Sequence, residues 1–160
     1  MILTMPKWTS YMATTTQPLF SPEQCQDIIN AGHAEKPQVA QVGTSKPEGA
    51  VDTKKRTTTI SWIPFTKLPQ MYQSVEQTLH NINTNHFGFQ DVKITEPAQF
   101  TEYPKGGFYD WHMDLDVSGL NSPPVRKISM TILLSDPSTF TGGQLEFMEK
   151  NKFPDLIQGQ

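Results

Sequence analysis

The chain has 160 residues, a formal net charge of −3 and a single cysteine. This length is enough for one domain, which would bury roughly 70% of its unfolded surface. The balance of charge does not indicate a nucleic-acid partner, and one cysteine excludes an internal disulfide. No run approaches the roughly 20 apolar residues of a membrane span, and the N-terminus is not a convincing signal peptide, so we expect a reducing cytoplasm.

An irregular arm at residues 1–17 precedes the first predicted helix. Ser21 is its expected N-cap, Pro22 occupies the first helical position, and Gln24 completes a capping box. Gly32 is the expected helix end. These signals predict that a single domain, residues 18–160, begins with a helix.

The next elements alternate between loop, strand and helix. Cys25 lies on the apolar face of the first helix and is expected to be a buried core thiol. Residues 33–54 predict a long surface loop, and the basic run 54–56 predicts a solvated turn. Residues 56–63 alternate as a strand does, and residues 68–83 carry an apolar stripe at helical spacing that is typical of a core.

From residue 92 onward the hydrophobic period changes to two. The predicted strands are residues 92–95, 98–103, 108–116, 126–135 and 144–148. Glycine and proline punctuate them, as at Gly106-Gly107 and Gly142-Gly143. Two helices followed by a run of antiparallel strands predict an α+β fold, with the helices packed on one face of a β-sandwich or jelly roll.

The third of these predicted strands, residues 108–116, carries a candidate metal pair. His112 and Asp114 are two residues apart and would point to the same face of a strand. Together they are two thirds of the facial triad, two histidines and one carboxylate, that holds non-haem Fe(II) with open positions. The opposite parity is apolar and is predicted to be buried; it contains Tyr109, Trp111, Met113 and Leu115. The spacing alone is a weak signal.

The sequence blocks around His112 and Asp114 strengthen the prediction of a metal site. In the order in which these blocks occur, the sequence resembles the Fe(II)/2-oxoglutarate-dependent dioxygenases. The closest resemblance is to the prolyl-4-hydroxylase-like branch, which includes PKHD-type hydroxylases. The similar blocks are residues 20–25, 56–63, 68–83, 87–89, 100–114, 126–137 and 142–147. They cover roughly residues 17–150, and their ordered combination is more specific than any single motif.

The resemblance implies a double-stranded β-helix, the jelly-roll barrel, with helices against one sheet. It implies that His112 and Asp114 bind Fe(II) and that Tyr103 offers its phenol to 2-oxoglutarate; a tyrosine packed at a strand end is the alternative. The implied reaction hydroxylates an unactivated C–H bond while 2-oxoglutarate becomes succinate and CO2, with ascorbate as reductant. The substrate would be a peptide, with proline the family-weighted expectation, or a small molecule.

The sequence departs from the family in one respect. Later family strands carry the second histidine and a basic residue for the distal carboxylate of 2-oxoglutarate, but no histidine follows His112. The other histidines, none expected to complete the site, are His33, His80 and His86. Arg126 and Lys127 are expected to be solvated. We therefore expect a domain whose last barrel strands are missing, as in a fragment or a decayed gene, and which has no turnover as the 160-residue chain.

Three alternatives stay open at this point. A non-catalytic binding or structural module could use the same barrel, and a downstream histidine on a further strand would decide for the enzyme. A short natural protein could complete its sheet by dimerisation, since the sequence leaves the oligomeric state open. A cupin-like metal protein without 2-oxoglutarate is disfavoured, because the tyrosine block accompanies His112 and Asp114 where a cupin would carry a His-x-His.

Overall fold

The computed structural model describes residues 10–42, 50–114, 125–147 and 155–160. Within these ranges the protein is α+β, with two α-helices and a three-stranded antiparallel sheet. The elements are α1 (Pro22–His33), β1 (Gln38–Val39), β2 (Thr59–Ile63), α2 (Pro69–Ile82) and β3 (Ala98–Glu102). The α+β prediction is confirmed; the sheet is compatible with part of a jelly roll, and the barrel itself stays a prediction. In the described ranges, neither helix has the length and apolarity to cross a membrane.

Helix α1 begins as the sequence predicts. The Ser21 hydroxyl accepts from the Gln24 N–H at 3.3 Å, and the Gln24 side chain accepts from the Ser21 N–H at 2.9 Å. This reciprocal capping box satisfies two donors that the first turn would otherwise leave without partners. The predicted end is one residue short, because α1 continues through Gly32 to His33.

Gly32 has a packing role instead of a terminating one. A Cβ at this position would lie 2.3 Å from the ring of Phe100, far inside van der Waals contact. The absence of a side chain lets the Phe100 ring, on β3, lie directly against the last turn of α1. The Gly32 carbonyl also accepts a buried hydrogen bond of 2.7 Å from the Ser61 hydroxyl on β2.

The core lies between the two helices and the sheet. Its buried members are Phe20, Cys25, Ile28, Ala31, Ile63, Met71, Tyr72 and Phe100. Cys25 is fully buried, which confirms the prediction of a core thiol, and burial raises its pKa. Burial of a large apolar side chain contributes roughly 1.5–3 kcal/mol, so this cluster is the main source of stability in the described fold.

Tyr72 joins α2 to the end of the sheet. Its hydroxyl donates to the Ile63 carbonyl and accepts from the Ala98 N–H at 2.7 Å. Ile63 and Ala98 are direct partners across β2 and β3, so one side chain connects three elements. Burial raises the Tyr72 pKa, and the bond from Ala98 opposes that shift.

Some predicted strands are shorter or placed differently. The strand predicted at residues 56–63 begins at Thr59, and β3 falls inside the predicted 98–103. The predicted loop 33–54 contains β1, which pairs with β2, and an isolated bridge between Val42 and Ala50; residues 43–49 lie outside the described ranges. The sheet therefore recruits residues whose composition predicts a loop.

The other predicted strands are wrong where the structure describes them. Residues 92–95, 126–135 and 144–147 are irregular, and residues 108–114 contain only one isolated bridge, at Tyr109. The ends of two predictions, residues 115–116 and 148, lie outside the described ranges. A segment of alternating apolar residues forms a strand only when a neighbouring strand accepts and donates its backbone hydrogen bonds.

The described segment 155–160 packs against both halves of the chain. The Gly159 carbonyl accepts from the N–H groups of Leu19 (2.7 Å) and Phe20 (3.2 Å), just before α1. Its N–H donates to the Leu133 carbonyl at 2.7 Å. Gly159 has φ +82°, and a Cβ would lie 2.0 Å from the Phe20 carbonyl oxygen, so this close approach requires glycine.

Candidate metal and co-substrate site

Residues 108–114, named here the His112 corner, are attached to the stretch before β2. The Thr57 N–H donates to the Phe108 carbonyl, and the Asp110 N–H donates to the Lys55 carbonyl, both at 2.8 Å. Between these bonds, Arg56 and Tyr109 form an isolated antiparallel bridge. Gly107 permits this approach, since a Cβ there would lie 2.8 Å from the Thr57 carbonyl oxygen.

His112 and Asp114 lie side by side, as the spacing predicts, although they are not on a strand. The His112 Nε2 and Asp114 Oδ1 atoms are 3.2 Å apart. The His112 Nδ1 is 2.8 Å from the Asp110 carbonyl oxygen. A carbonyl can only accept, so Nδ1 carries the proton in this contact and Nε2 faces Asp114. Two electron-rich atoms at this separation require a proton or a cation between them.

The separation also fits a shared octahedral cation. With metal–ligand bonds of roughly 2.1 Å, two adjacent donors lie about 3 Å apart. A ligating histidine commonly donates its other ring N–H to a carbonyl or carboxylate, which is the arrangement at the Asp110 carbonyl. The donor types, one imidazole and one carboxylate, suit Fe(II).

No third ligand joins the pair in the part of the chain that the structure describes. Among the described residues, no three side chains of His, Cys, Asp or Glu lie close enough together to hold a metal ion. His33 is paired with Glu102 at 2.8 Å, His80 lies on α2, and His86 lies in the π-helical turn Asn83–Phe87. The structure thus brings two of the expected ligands together within the described residues.

The face opposite the pair differs from the sequence prediction. Trp111 is 60% exposed and Met113 is 74% exposed, while Tyr109 is half-buried and Leu115 lies outside the described ranges. The prediction of a buried apolar face is wrong for Trp111 and Met113. Alternate residues point to opposite faces only where the segment is paired in a sheet. In residues 108–114 the pairing is limited to the bridge at Tyr109.

Arg56 is a residue of this site that sequence reasoning missed. The run 54–56 predicted a solvated turn, but Arg56 is only 8% exposed. Its Nε donates to the Thr58 hydroxyl at 2.8 Å, and its guanidinium carbon lies 4.4 Å from the centre of the Tyr109 ring. The sequence placed Arg56 at the start of the predicted strand 56–63, in the same parity as Thr58 and Ile60, but that parity did not by itself predict its burial, which the structure shows for all three.

Aromatic stacking links this buried arginine to the candidate ligand. The rings of Tyr109 and His112 are stacked, with centres 3.5 Å apart and planes 13° from parallel. Arg56, Tyr109 and His112 therefore form a continuous column, which we name the Arg56 column. One end of this column is buried against the sheet and the other carries the Nε2 that faces Asp114.

Tyr103 lies in the same neighbourhood. It follows β3 directly and is 55% exposed. Partial burial raises its pKa; the positive charge of Arg56 opposes that shift and Tyr109 adds to it. These interactions put the Tyr103 phenol within electrostatic range of the Arg56 column. Its predicted contact with 2-oxoglutarate stays a prediction.

A cleft of about 270 Å³ opens beside Asp114. Besides Asp114, its lining combines positive, polar and apolar side chains: Tyr11, Phe87, Arg126, Lys127, Ile128, Ser129 and Phe147. Arg126 is not simply solvated, because its Nη2 is 2.7 Å from the Glu96 carboxylate and its Nη1 donates to the Asp114 carbonyl at 3.3 Å. The cleft therefore places two cationic side chains next to one candidate ligand, and one of the two, Arg126, is paired with Glu96.

Comparisons of the chain with protein-family models, with curated proteins and with solved structures find no match. The resemblance to the dioxygenases consequently depends on the sequence blocks alone and stays a prediction. What the structure adds is the geometry of the His112 corner, which bears on what those residues can do chemically.

Proposed function

We propose that the protein is a non-haem iron domain of the Fe(II)/2-oxoglutarate dioxygenase type, built on a jelly roll with its helices against one sheet. The observation that carries the proposal is the 3.2 Å approach of His112 Nε2 to Asp114 Oδ1, with His112 Nδ1 held by a backbone carbonyl. The order of the sequence blocks supports the same conclusion. The substrate proposed is a peptide, with proline as the leading target, or a small molecule.

The chain's own residues have distinct roles in this proposal. His112 and Asp114 would hold Fe(II), and the Asp110 carbonyl keeps the His112 Nδ1 protonated so that Nε2 presents its lone pair. Tyr103 would bind a carboxylate of 2-oxoglutarate through its phenol. When bound, iron and 2-oxoglutarate would supply the activation of O2 needed to hydroxylate a C–H bond, and ascorbate would keep the iron reduced.

The cleft beside Asp114 would receive the organic ligand. Lys127 contributes positive charge that suits a carboxylate, and Arg126 does so where a ligand competes with Glu96 for its guanidinium; Tyr11 and Ile128 contribute apolar surface. Arg126 also binds the Asp114 backbone, so a ligand that engages this guanidinium would lie next to the metal pair. Two described protein ligands would hold a divalent ion weakly, because affinity depends on the number of ligands and on their supporting contacts.

Anaerobic titration with Fe(II) tests the proposal, with the fluorescence of exposed Trp111 as the readout. We expect saturable quenching, and we expect 2-oxoglutarate to tighten binding and to produce the visible charge-transfer band of chelated Fe(II). His112→Ala should abolish both signals. The matched control is His80→Ala, which removes an exposed histidine from α2 and should leave both unchanged.

Equal responses from His112→Ala and His80→Ala would contradict the ligand assignment. If wild-type protein gives no signal with Fe(II) or with 2-oxoglutarate, the non-catalytic module on the same fold becomes the better account. The 160-residue chain is expected to release no succinate in the presence of O2 and ascorbate. Succinate release that is lost in His112→Ala would support the ligand assignment and contradict the expectation that barrel strands needed for turnover are missing.

A further inference from the structure

We propose that Arg56 and Tyr109 are positioning residues, which fix the orientation of the His112 imidazole before any metal binds. The significance of that orientation for iron rests on the proposed function, whereas the orientation itself does not. The inference is carried by the geometry of the Arg56 column.

Arg56, the buried end of the column, is held in place by hydrogen bonds. Arg56 is buried, its Nε donates to the Thr58 hydroxyl at 2.8 Å, and its Nη1 donates to the Gln41 carbonyl at 3.4 Å. These bonds connect the guanidinium to Gln41, two residues after β1, and to Thr58, directly before β2. A planar guanidinium that is held in this way can lie over an aromatic ring, which a flexible lysine ammonium does less well.

Tyr109 is the middle of the column and is held on two sides. Backbone hydrogen bonds at Phe108 and Asp110, each 2.8 Å, place its main chain against residues 55–57. The Arg56 guanidinium carbon, 4.4 Å from the ring centre, engages the π-system of its side chain. Tyr109 is therefore more constrained than its neighbours Phe108 and Trp111, which are exposed.

Two restraints then act on the His112 ring, and they are complementary. Stacking on Tyr109 at 3.5 Å sets the plane of the imidazole but leaves it free to turn within that plane. The 2.8 Å contact between Nδ1 and the Asp110 carbonyl sets that rotation. Together they direct Nε2 toward Asp114, although the side chain is 38% exposed and would otherwise sample several rotamers.

The test uses NMR of the metal-free protein, because ring stacking displaces the His112 ring-proton resonances upfield. We expect Tyr109→Leu to abolish that displacement and Tyr109→Phe to keep it. Arg56→Lys, which keeps the charge but loses the planar group, should reduce it. Phe108→Leu is the matched control, since it removes the neighbouring exposed aromatic side chain and should leave the His112 resonances in place.

A second measurement determines how much the orientation of His112 contributes to metal affinity. Mn(II), titrated as a paramagnetic probe, should bind Tyr109→Leu more weakly than wild type on the order of tenfold, and Tyr109→Phe within twofold. Thermal melts of the same variants separate orientation from loss of fold. A folded Tyr109→Leu with weakened Mn(II) binding and unchanged melting supports a positioning role.

Unchanged His112 resonances in folded Tyr109→Leu would overturn the inference. Should that variant unfold, Arg56→Lys decides instead, and His112 resonances identical to wild type would overturn it there. If wild-type protein does not bind Mn(II) or Fe(II), the proposed function fails, while the ring resonances still decide whether Arg56 and Tyr109 orient His112.

Discussion

The helix–sheet region and the His112 corner are held together by different means. The helix–sheet region, made of α1, α2, β2 and β3, encloses a continuous apolar cluster and a five-residue ladder between its two longer strands. The His112 corner has two backbone hydrogen bonds, a cation–π contact and one ring stack, and most of its side chains are exposed. Stability therefore resides in the first region and the candidate chemistry in the second.

The largest expected effect compares two aromatic side chains, one from each region. Phe100→Ala should lower the free energy of unfolding by about 3–5 kcal/mol, because it removes a buried ring that fills the space above Gly32. Trp111→Ala removes a larger side chain that is 60% exposed, and should change stability by no more than about 0.5 kcal/mol. Urea denaturation monitored by circular dichroism measures both.

A loss of several kcal/mol in Trp111→Ala would break the comparison. It would mean that Trp111 is covered in solution and that the His112 corner contributes to the fold. A small loss in Phe100→Ala would contradict the placement of the core itself.

The second prediction concerns two tyrosine hydroxyls. Tyr72→Phe should cost about 1–3 kcal/mol, because it leaves the Ile63 carbonyl and the Ala98 N–H without this buried partner. Tyr11→Phe is the matched control, since Tyr11 is 93% exposed and its hydroxyl should contribute within about 0.5 kcal/mol. Amide exchange at Ala98 should accelerate in Tyr72→Phe and not in Tyr11→Phe; equal rates in the two variants would refute the role of the Tyr72 hydroxyl.

The helical part of the fold could be predicted from sequence because its signals are local. The capping box at Ser21 and the stripe along residues 68–83 need only a few neighbouring residues to be recognised, and both predicted helices are present within one or two residues of their expected ends. Gly32 shows the limit of local signals. Glycine is needed at this position because the Phe100 ring packs against it. Phe100 is 68 positions later in the sequence, so no local pattern reveals the contact.

The strands and the site depend on distant partners and were predicted only in part. Residues 92–95 and 126–135 alternate correctly, yet where the structure describes them they have no ladder. The proximity of His112 and Asp114 was predicted from their spacing, although the strand on which that prediction depended is absent from residues 108–114. The burial of Arg56 did not follow, because it depends on Tyr109, and the pairing of those two residues is set by a bridge between segments 53 positions apart.

The smallest expected effect is a pH dependence that begins with a buried thiol of the helix–sheet region. Burial raises the pKa of the Cys25 thiol, so the folded state keeps its proton at a pH where the unfolded chain releases it. Stability from this group is complete below the unfolded pKa, about 8.5, and declines as pH rises above it. Burial raises the Tyr72 pKa as well, and its contribution declines in the same direction but at higher pH.

Cys25→Ala separates the titration of the thiol from those of the tyrosines. Urea midpoints measured between about pH 7 and pH 10 should fall with rising pH in wild type and fall less in Cys25→Ala, in which the contributions of Tyr72 and Tyr103 are left. His112→Ala, the matched change in the exposed corner, should keep the full wild-type decline. A decline in Cys25→Ala as steep as in wild type would show that the thiol is not desolvated, and would thereby remove the clearest electrostatic difference between the packed region and the His112 corner.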